Sequence, residues 1–366
     1  MTAPADTNHA AATPPAAGTP DATTSDAASA SGPDLLTMGR SSIDLYTNDV
    51  GVPFEEIGSF AAYVGGSPTN IAVGARRLGL RTAVLTGVGD DKVGAFIRRF
   101  LDDEGVDTRH VVTKPGTRST AVLLGIEADG KVPLVFYRHA ASDDHLGIDD
   151  VIAADPAAAG ALEISGTGLS KSPQAQATLF AAERARAAGR PVFLDLDFRA
   201  DQWHDPRAYG VMVRAALPNV TVALGTEEEL RAAMLRDPSA LRVVDQQISA
   251  PEIAGNTDEA VNDLLAVPSG PEAVVVKRGA DGARVHLRDG TAIDAPGFPA
   301  EVVNVLGAGD AFAAGFIYGR LNGWDWRASA RMGNACGAIV VGRHACANDM
   351  GTLAEVQALV EANGGL

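Results

Sequence analysis

The run Asn304-Val305-Leu306-Gly307-Ala308-Gly309-Asp310 opens directly into Ala311-Phe312-Ala313-Ala314-Gly315-Phe316, a loop of small residues leading into a helix. The first amides of a helix have no intrahelical partner, and its dipole favours negative charge at that end. Small residues there let a phosphate approach the main chain. A carboxylate, Asp310, stands at the same end. Phosphoryl transfer needs positioning, charge neutralisation and a group to take the hydroxyl proton. The amides of Gly307, Ala308 and Gly309 suit an anion hole for that reaction, and Asp310 suits the proton acceptor. At a helix N-terminus Asp310 is expected to stay ionised at pH 7, which makes it a weak base. A plain helix cap uses the same residue types, so the loop alone leaves both readings open.

Two other glycine-rich stretches carry less. Gly166-Thr167-Gly168-Leu169-Ser170-Lys171-Ser172 approximates a P-loop but lacks the glycine that must precede the lysine. It reads as a strand-to-helix turn, with Ser172 as cap and Pro173 at the first helical position. Gly87-Val88-Gly89 begins like a dinucleotide fingerprint, yet Lys92 stands where the third glycine belongs, so hydride transfer has no support. The seven histidines lack paired metal-ligand spacing, and no zinc site is expected.

The elements that must position these residues alternate along the chain. Apolar runs at 35–38, 82–85, 162–164, 192–194, 220–224 and 273–276 read as buried strands. Helical patterns at 68–78, 93–103, 173–188, 226–235 and 258–265 lie between them, with three more near 309–321, 325–341 and 352–362. Such alternation predicts an α/β fold with a mostly parallel sheet covered by helices on both faces. The stretches 54–64 and 119–137 are strand-like without helices, the second carrying the hairpin turn Ala128-Asp129-Gly130-Lys131. They predict a small sheet outside the main layers, either a lid over a site or a decorative insertion.

Composition narrows the partners. The 366 residues carry 30 Lys+Arg against 46 Asp+Glu, a net charge of −16. That balance argues against nucleic acid and against an anionic membrane surface, and no apolar run reaches the roughly 18 residues of a span. Two cysteines make no disulfide framework, which points to a reduced, cytoplasmic setting. Residues 1–33 contain no Lys, Arg, Leu, Ile, Val or Phe. They are expected to be a disordered Ala/Thr/Pro-rich tail with neither leader nor transit features, ahead of a folded body at 34–366.

Two motifs about 240 residues apart, Gly65-Gly66-Ser67-Pro68-Thr69-Asn70-Ile71-Ala72 with Arg77-Leu78-Gly79, and Gly307-Ala308-Gly309-Asp310, together resemble the signatures of the ribokinase-like, or PfkB, carbohydrate kinases. The resemblance covers about 34–362. Gly39-Arg40-Ser41-Ser42-Ile43-Asp44-Leu45, Asp195-Leu196-Asp197-Phe198-Arg199 and Gly342-Arg343-His344-Ala345-Cys346 are most similar to the branch acting on the sugar acid 5-dehydro-2-deoxygluconate of myo-inositol catabolism.

This resemblance implies a ribokinase-like three-layer α/β/α fold, with lid strands from about 53–65 and 117–140. It implies an ATP- and Mg²⁺-dependent kinase acting on the terminal hydroxyl of the acid. Asp310 becomes the base, and Gly307, Ala308 and Gly309 the anion hole. Asp44, Gly66 and Asn70 match positions that hold sugar hydroxyls. Glu228 is taken as the end of an Asn-x-x-Glu motif whose Asn is Gly225 here, touching Mg²⁺ through water. Lys277, Gly279 and Gly282 match the strand end and turn beside the nucleotide, with Asn334 and the loop near Arg343 by the adenine. Asn304-Val305 replaces the usual Asp-Thr, which weakens the implication of a monovalent-cation site.

A sugar acid and ATP are both anions facing an acidic protein, so local cations must receive them. Arg138, at the end of the lid hairpin, and Arg199, at a strand's C-terminal end, are the candidates for the carboxylate, because Arg offers a planar bidentate fork. Other kinases of the same fold, acting on 2-keto-3-deoxygluconate, fructose or a nucleoside, are the nearest alternatives. A sugar-binding sensor without catalysis is the alternative from another class, and the intact Gly-Ala-Gly-Asp loop speaks against it. Unpaired lid edges also point to a homodimer through the lid.

Overall fold

A computed structural model of the chain describes residues 32–128, 131–243 and 251–366. Most of the expected tail, and Asp129-Gly130 of the expected hairpin turn, lie outside the described residues. The strands are β1 (Leu35–Met38), β2 (Ser42–Thr47), β3 (Phe60–Gly65), β4 (Thr82–Gly89), β5 (Val111–Lys114), β6 (Thr120–Leu124), β7 (Leu134–Tyr137), β8 (Ala161–Ser165), β9 (Val192–Asp195), β10 (Val222–Thr226), β11 (Leu241–Arg242), β12 (Glu252–Ile253), β13 (Ala273–Lys277), β14 (Ala283–Leu287) and β15 (Ala292–Ala295). The α-helices are α1 (Ser67–Arg77), α2 (Lys92–Asp103), α3 (Ile148–Ala154), α4 (Gln174–Ala187), α5 (Pro206–Ala216), α6 (Glu227–Ala233), α7 (Thr257–Leu265), α8 (Ala308–Leu321), α9 (Trp326–Val341) and α10 (Leu353–Ala362).

Nine strands form the main sheet in the order β15-β14-β13-β10-β9-β8-β1-β4-β5. Pairing is parallel from β5 to β13 and antiparallel for β14 and β15. Successive side chains of a strand point to opposite faces, and here both faces are covered, so the central strands are buried without alternation. Leu35 packs in one core with Ile71, Phe193 and Phe316. Its neighbour Leu36 packs in another with Ile164, Leu194 and Tyr209. The C-terminal strand ends turn polar: Ser165 lies opposite Asp195, and Thr226 opposite Lys277. Open α/β sheets bind ligands at that edge.

The small sheet runs β3-β2-β6-β7, with β2 and β6 parallel and the outer pairs antiparallel. Strands at 60–65, 120–124 and 134–137 fall inside the expected lid ranges. β2 was not anticipated from the sequence, for a physical reason. Its alternation is inverted: Ser42, Asp44 and Tyr46 are buried while Ile43 and Leu45 are only half-buried. A strand lining a polar pocket buries its polar residues, and pattern reading discards it. The hairpin β14–β15 and the helices α3 and α5 also lay outside the sequence reading.

α8, which carries Asp310 in its first turn, is held by α9 through glycine contacts. A Cβ on Gly333 would stand 2.7 Å from the Phe312 carbonyl oxygen, and one on Gly315 would stand 2.7 Å from Cys336 Sγ. Backbone approach this close tolerates no side chain. Gly333→Ala is therefore expected to destabilise the fold by about 1–3 kcal/mol through overpacking, read as a lower urea midpoint at unchanged slope.

Candidate active site

The loop entering α8 is shaped by its own side chains. Asn304 Oδ1 accepts the Leu306 amide at 3.0 Å, and Asn304 Nδ2 donates to the His344 carbonyl at 3.1 Å. Gly307 then turns the chain at φ +78°, where a Cβ would lie 2.7 Å from Cys346 Sγ. Only glycine satisfies both demands. Asp310 Oδ2 accepts a 2.6 Å hydrogen bond from Asn70 Nδ2 on α1. Burial raises the Asp310 carboxyl above its ordinary range, the nearby Asp197 carboxylate adds to this, and the Asn70 bond opposes it. The group is thus a better base than a helix N-terminus alone would make it.

Two pockets meet at this helix start. The first, of about 420 Å³, is lined by Arg40, Asp44, Gly66, Asn70, Arg199 and Asp310, with Tyr46, Val122, Leu124, Leu134 and Phe136 as its apolar wall. That wall and Asp44 are one face of the small sheet: Asp44, Val122 and Phe136 stand in register, as do Tyr46, Leu124 and Leu134. The second pocket, of about 1060 Å³, is lined by Lys277, Gly279, Gly282, Phe298, Val305, Ala308, Gly309, Phe312, Asn334 and Val341, among others. Gly307 and Asp310 face the first pocket; Ala308 and Gly309 face the second. One turn of helix separates the two.

Charged strand ends complete the site. Lys277 Nζ lies 2.9 Å from Asp195 Oδ1 and 3.8 Å from Glu229 Oε2. Burial works against the Lys277 charge, but the carboxylates of Asp195, Glu229 and Asp310 outweigh it and hold the ammonium protonated. A Cβ on Gly309 would come within 3.1 Å of Lys277 Nζ, so the cation touches the helix start. Arg199 lies 2.8 Å from Asp197 Oδ1. Asp197 Oδ2 accepts 3.0 Å bonds from the Ser165 and Thr167 hydroxyls, which fixes the guanidinium. Asp44 Oδ1 accepts from the Ser42 hydroxyl at 2.7 Å.

Two expected site residues are placed elsewhere. Arg138 lines neither pocket; it is 7% exposed, 2.7 Å from Asp143 Oδ2 and also bonded to Asp144. Its two partners follow closely in sequence, and they neutralise it. Glu228 also lines neither pocket: its side chain is 42% exposed and accepts from Arg231 at 2.6 Å. The acid turned inward is Glu229, one residue on. Its Oε2 accepts the Thr226 amide at 2.8 Å in a capping box that starts α6. The Thr-x-x-Glu spacing of that box was readable in the sequence and ties the Glu229 side chain back to the helix start beside the end of β10. Arg343 pairs with Glu355 at 2.5 Å and likewise lines neither pocket. Arg40 was missed as a pocket residue, because nothing local distinguishes it from a surface arginine. Among the described residues no group of three or more His, Cys, Asp or Glu is arranged to hold a metal ion, and no helix is long and apolar enough to cross a membrane.

Comparison with known proteins bears on this geometry. Residues 33–353 match the family model described as pfkB family carbohydrate kinase. The 5-dehydro-2-deoxygluconokinase of Geobacillus kaustophilus is 35% identical over 329 residues, 90% of this chain and 93% of that protein. The 5-dehydro-2-deoxygluconokinase of Shouchella clausii is 34% identical, covering 90% and 95%. Among solved structures, a Xylella fastidiosa fructokinase with bound ATP aligns with a TM-score of 0.73 at 23% identity, over 90% of this chain and 99% of that one. The aminoimidazole riboside kinase of Salmonella enterica, complexed with aminoimidazole riboside and an ATP analogue, aligns at 0.72 with 21% identity, over 89% and 99%. These structural likenesses establish the three-layer fold.

The raised Asp310 pKa carries a stability consequence. A carboxyl whose folded pKa lies above its ordinary 3.8 contributes its full stability only below that value and loses the contribution as pH rises from there through the folded pKa. Asp310→Asn cannot ionise and keeps an acceptor for Asn70. The variant is expected to melt above the wild type at pH 7, with the gain shrinking toward pH 4.

Proposed function

Because the chain belongs to the pfkB family of carbohydrate kinases, we propose that it transfers the terminal phosphoryl group of ATP to the terminal hydroxyl of 5-dehydro-2-deoxygluconate, yielding the 6-phosphate. One observation carries this reading. The first turn of α8 is the common wall of a small polar pocket and a larger apolar cleft, so an acceptor alcohol and a donor phosphate meet across it. The relatives at 33–35% identity supply the choice of sugar acid.

The larger cleft fits a nucleotide. Phe298, Phe312, Val305 and Val341 offer apolar surface for a base, and the Ala308 and Gly309 amides with Lys277 offer phosphate contacts. Asn334 is held by bonds to the Ala295 and Pro296 carbonyls at 2.9 and 3.1 Å and forms part of the same wall. Among the described residues no three carboxylates converge on a metal position, so they fit magnesium only through its water shell; Glu229, whose Oε2 lies 3.8 Å from Lys277 Nζ, takes the role expected of Glu228 in holding that shell. Magnesium, when bound with the triphosphate, neutralises phosphate charge.

In the smaller pocket, Asp44 and Asn70 hold acceptor hydroxyls. Asp310 takes the proton of the attacking hydroxyl as its oxygen gains charge, and the amides of Gly307, Ala308 and Gly309 stabilise the transferring group. The small sheet lines the acceptor pocket and acts as a lid that excludes water. Its outer face carries half-buried Leu45, Leu123 and Val135 in register, with half-buried Ile43 in the next row, which suits a homodimer through the lid. The setting is cytoplasmic, where ATP is available.

Asp310→Asn is expected to lower kcat by roughly 10²–10⁴-fold while ATP affinity, measured by calorimetry, is retained; near wild-type turnover would overturn the assignment of the base. Glu229→Gln is expected to raise the magnesium concentration needed for half-maximal rate, and Glu228→Gln to leave it unchanged. A coupled assay across 5-dehydro-2-deoxygluconate, 2-keto-3-deoxygluconate, fructose and ribose is expected to show the highest kcat/KM for the first. Ligand binding with no ATP turnover on any of them would restore the sensor reading.

A further inference from the structure

Among the described residues, three cations line the two pockets, and Arg40 alone of them has no carboxylate in direct contact. Arg199 has Asp197 at 2.8 Å, Lys277 has Asp195 at 2.9 Å, and Arg138 has Asp143 and Asp144. Arg40 lies between β1 and β2, is 7% exposed and lines the acceptor pocket. Among the described residues its guanidinium makes no ion pair, and its buried Nε has no hydrogen-bond partner. Its Cζ stands 5.0 Å from the centroid of Phe136 on the small sheet, a contact that orients the guanidinium without neutralising it. A buried guanidinium without a paired anion is costly. A pocket for a neutral sugar has no use for that cost.

We propose that Arg40 is the residue that receives the carboxylate of an acidic sugar and so sets the enzyme's preference for acids over neutral sugars. This rests on the sugar-kinase reading above and deepens it. The planar fork matches a carboxylate bidentately, and an acid placed there completes the ion pair that the protein leaves open. Asp44 feels both the Arg40 guanidinium and the Asp310 carboxylate, so the acceptor pocket runs from a cationic group by Phe136 to the base on α8. The sugar then lies with its acid group at Arg40 and its reacting hydroxyl at Asp310. Arg199, already held by Asp197, borders the pocket as a secondary cation.

The test compares 5-dehydro-2-deoxygluconate with its neutral carboxamide analogue at saturating ATP. The wild type is expected to favour the acid by roughly 30- to 100-fold in kcat/KM, the scale of charge-assisted hydrogen bonds. Arg40→Gln is expected to raise KM for the acid by a similar factor, with the effect on KM rather than kcat, and to leave KM for the amide and for ATP within threefold. Arg40→Lys keeps the charge but loses the fork, and is expected to raise KM for the acid alone by roughly 5- to 10-fold. If Arg40→Gln does not fold, the Lys variant and the wild-type acid-to-amide ratio decide the matter. Failure of the wild type to distinguish acid from amide overturns the assignment and leaves the kinase reading intact. So does a variant that keeps the wild-type preference, or loss of the preference on Arg199→Gln alone. Wild-type turnover on fructose with none on any sugar acid overturns the proposed substrate and this assignment together.

Discussion

The start of α8 is the constraint around which the rest of the molecule is arranged. A helix leaves its first N–H groups without partners, and an anion is what they accept best. Gly307 brings the chain to that start at a positive φ, in a space already filled by Cys346. Asn304 fixes the approach, α9 presses on the helix through glycines, and α1 delivers Asn70 to Asp310. Each contact holds the same half-turn of backbone. The two pockets share that half-turn as a wall, so its position shapes both.

The acidic protein meets two anionic ligands by localising its cations. Lys277 is fixed by Asp195 and Glu229, and Arg199 by Asp197. Those carboxylates do not cancel the cations so much as hold them at set points along the strand ends. The small sheet contributes in the same way from the other side. Its inner face supplies Asp44 and Phe136, and Phe136 lies under the Arg40 guanidinium, which makes no direct ion pair among the described residues. The lining of the acceptor pocket is therefore divided between the main sheet and the small sheet.

Where sequence reading failed, the failures share a cause. Glu228 and Glu229 differ by one position, and a shift of one residue turns a side chain from solvent to the site. The Asn-x-x-Glu motif counted from Gly225 falls on the outward one, while the Thr226 capping box holds the inward one against its helix start. Arg138 and Arg40 are both arginines near the acceptor pocket. Only packing shows that two aspartates consume the first and none contacts the second. β2 escaped because strands over a polar pocket reverse the usual apolar alternation. By contrast, the central strands and α8 were legible, because two-sided burial and a glycine-led helix start impose local residue choices.

The sequence by itself determined the layered α/β fold, the helix start that carries Asp310 and the kinase family, since each is written in contiguous residues whose types serve backbone geometry. The tertiary structure decided which charges remain unpaired. Asp310 is a stronger base than its helix position alone would make it, Arg138 is closed off and Arg40 is left open. Pairing and burial depend on neighbours distant in the chain, and no local pattern records them.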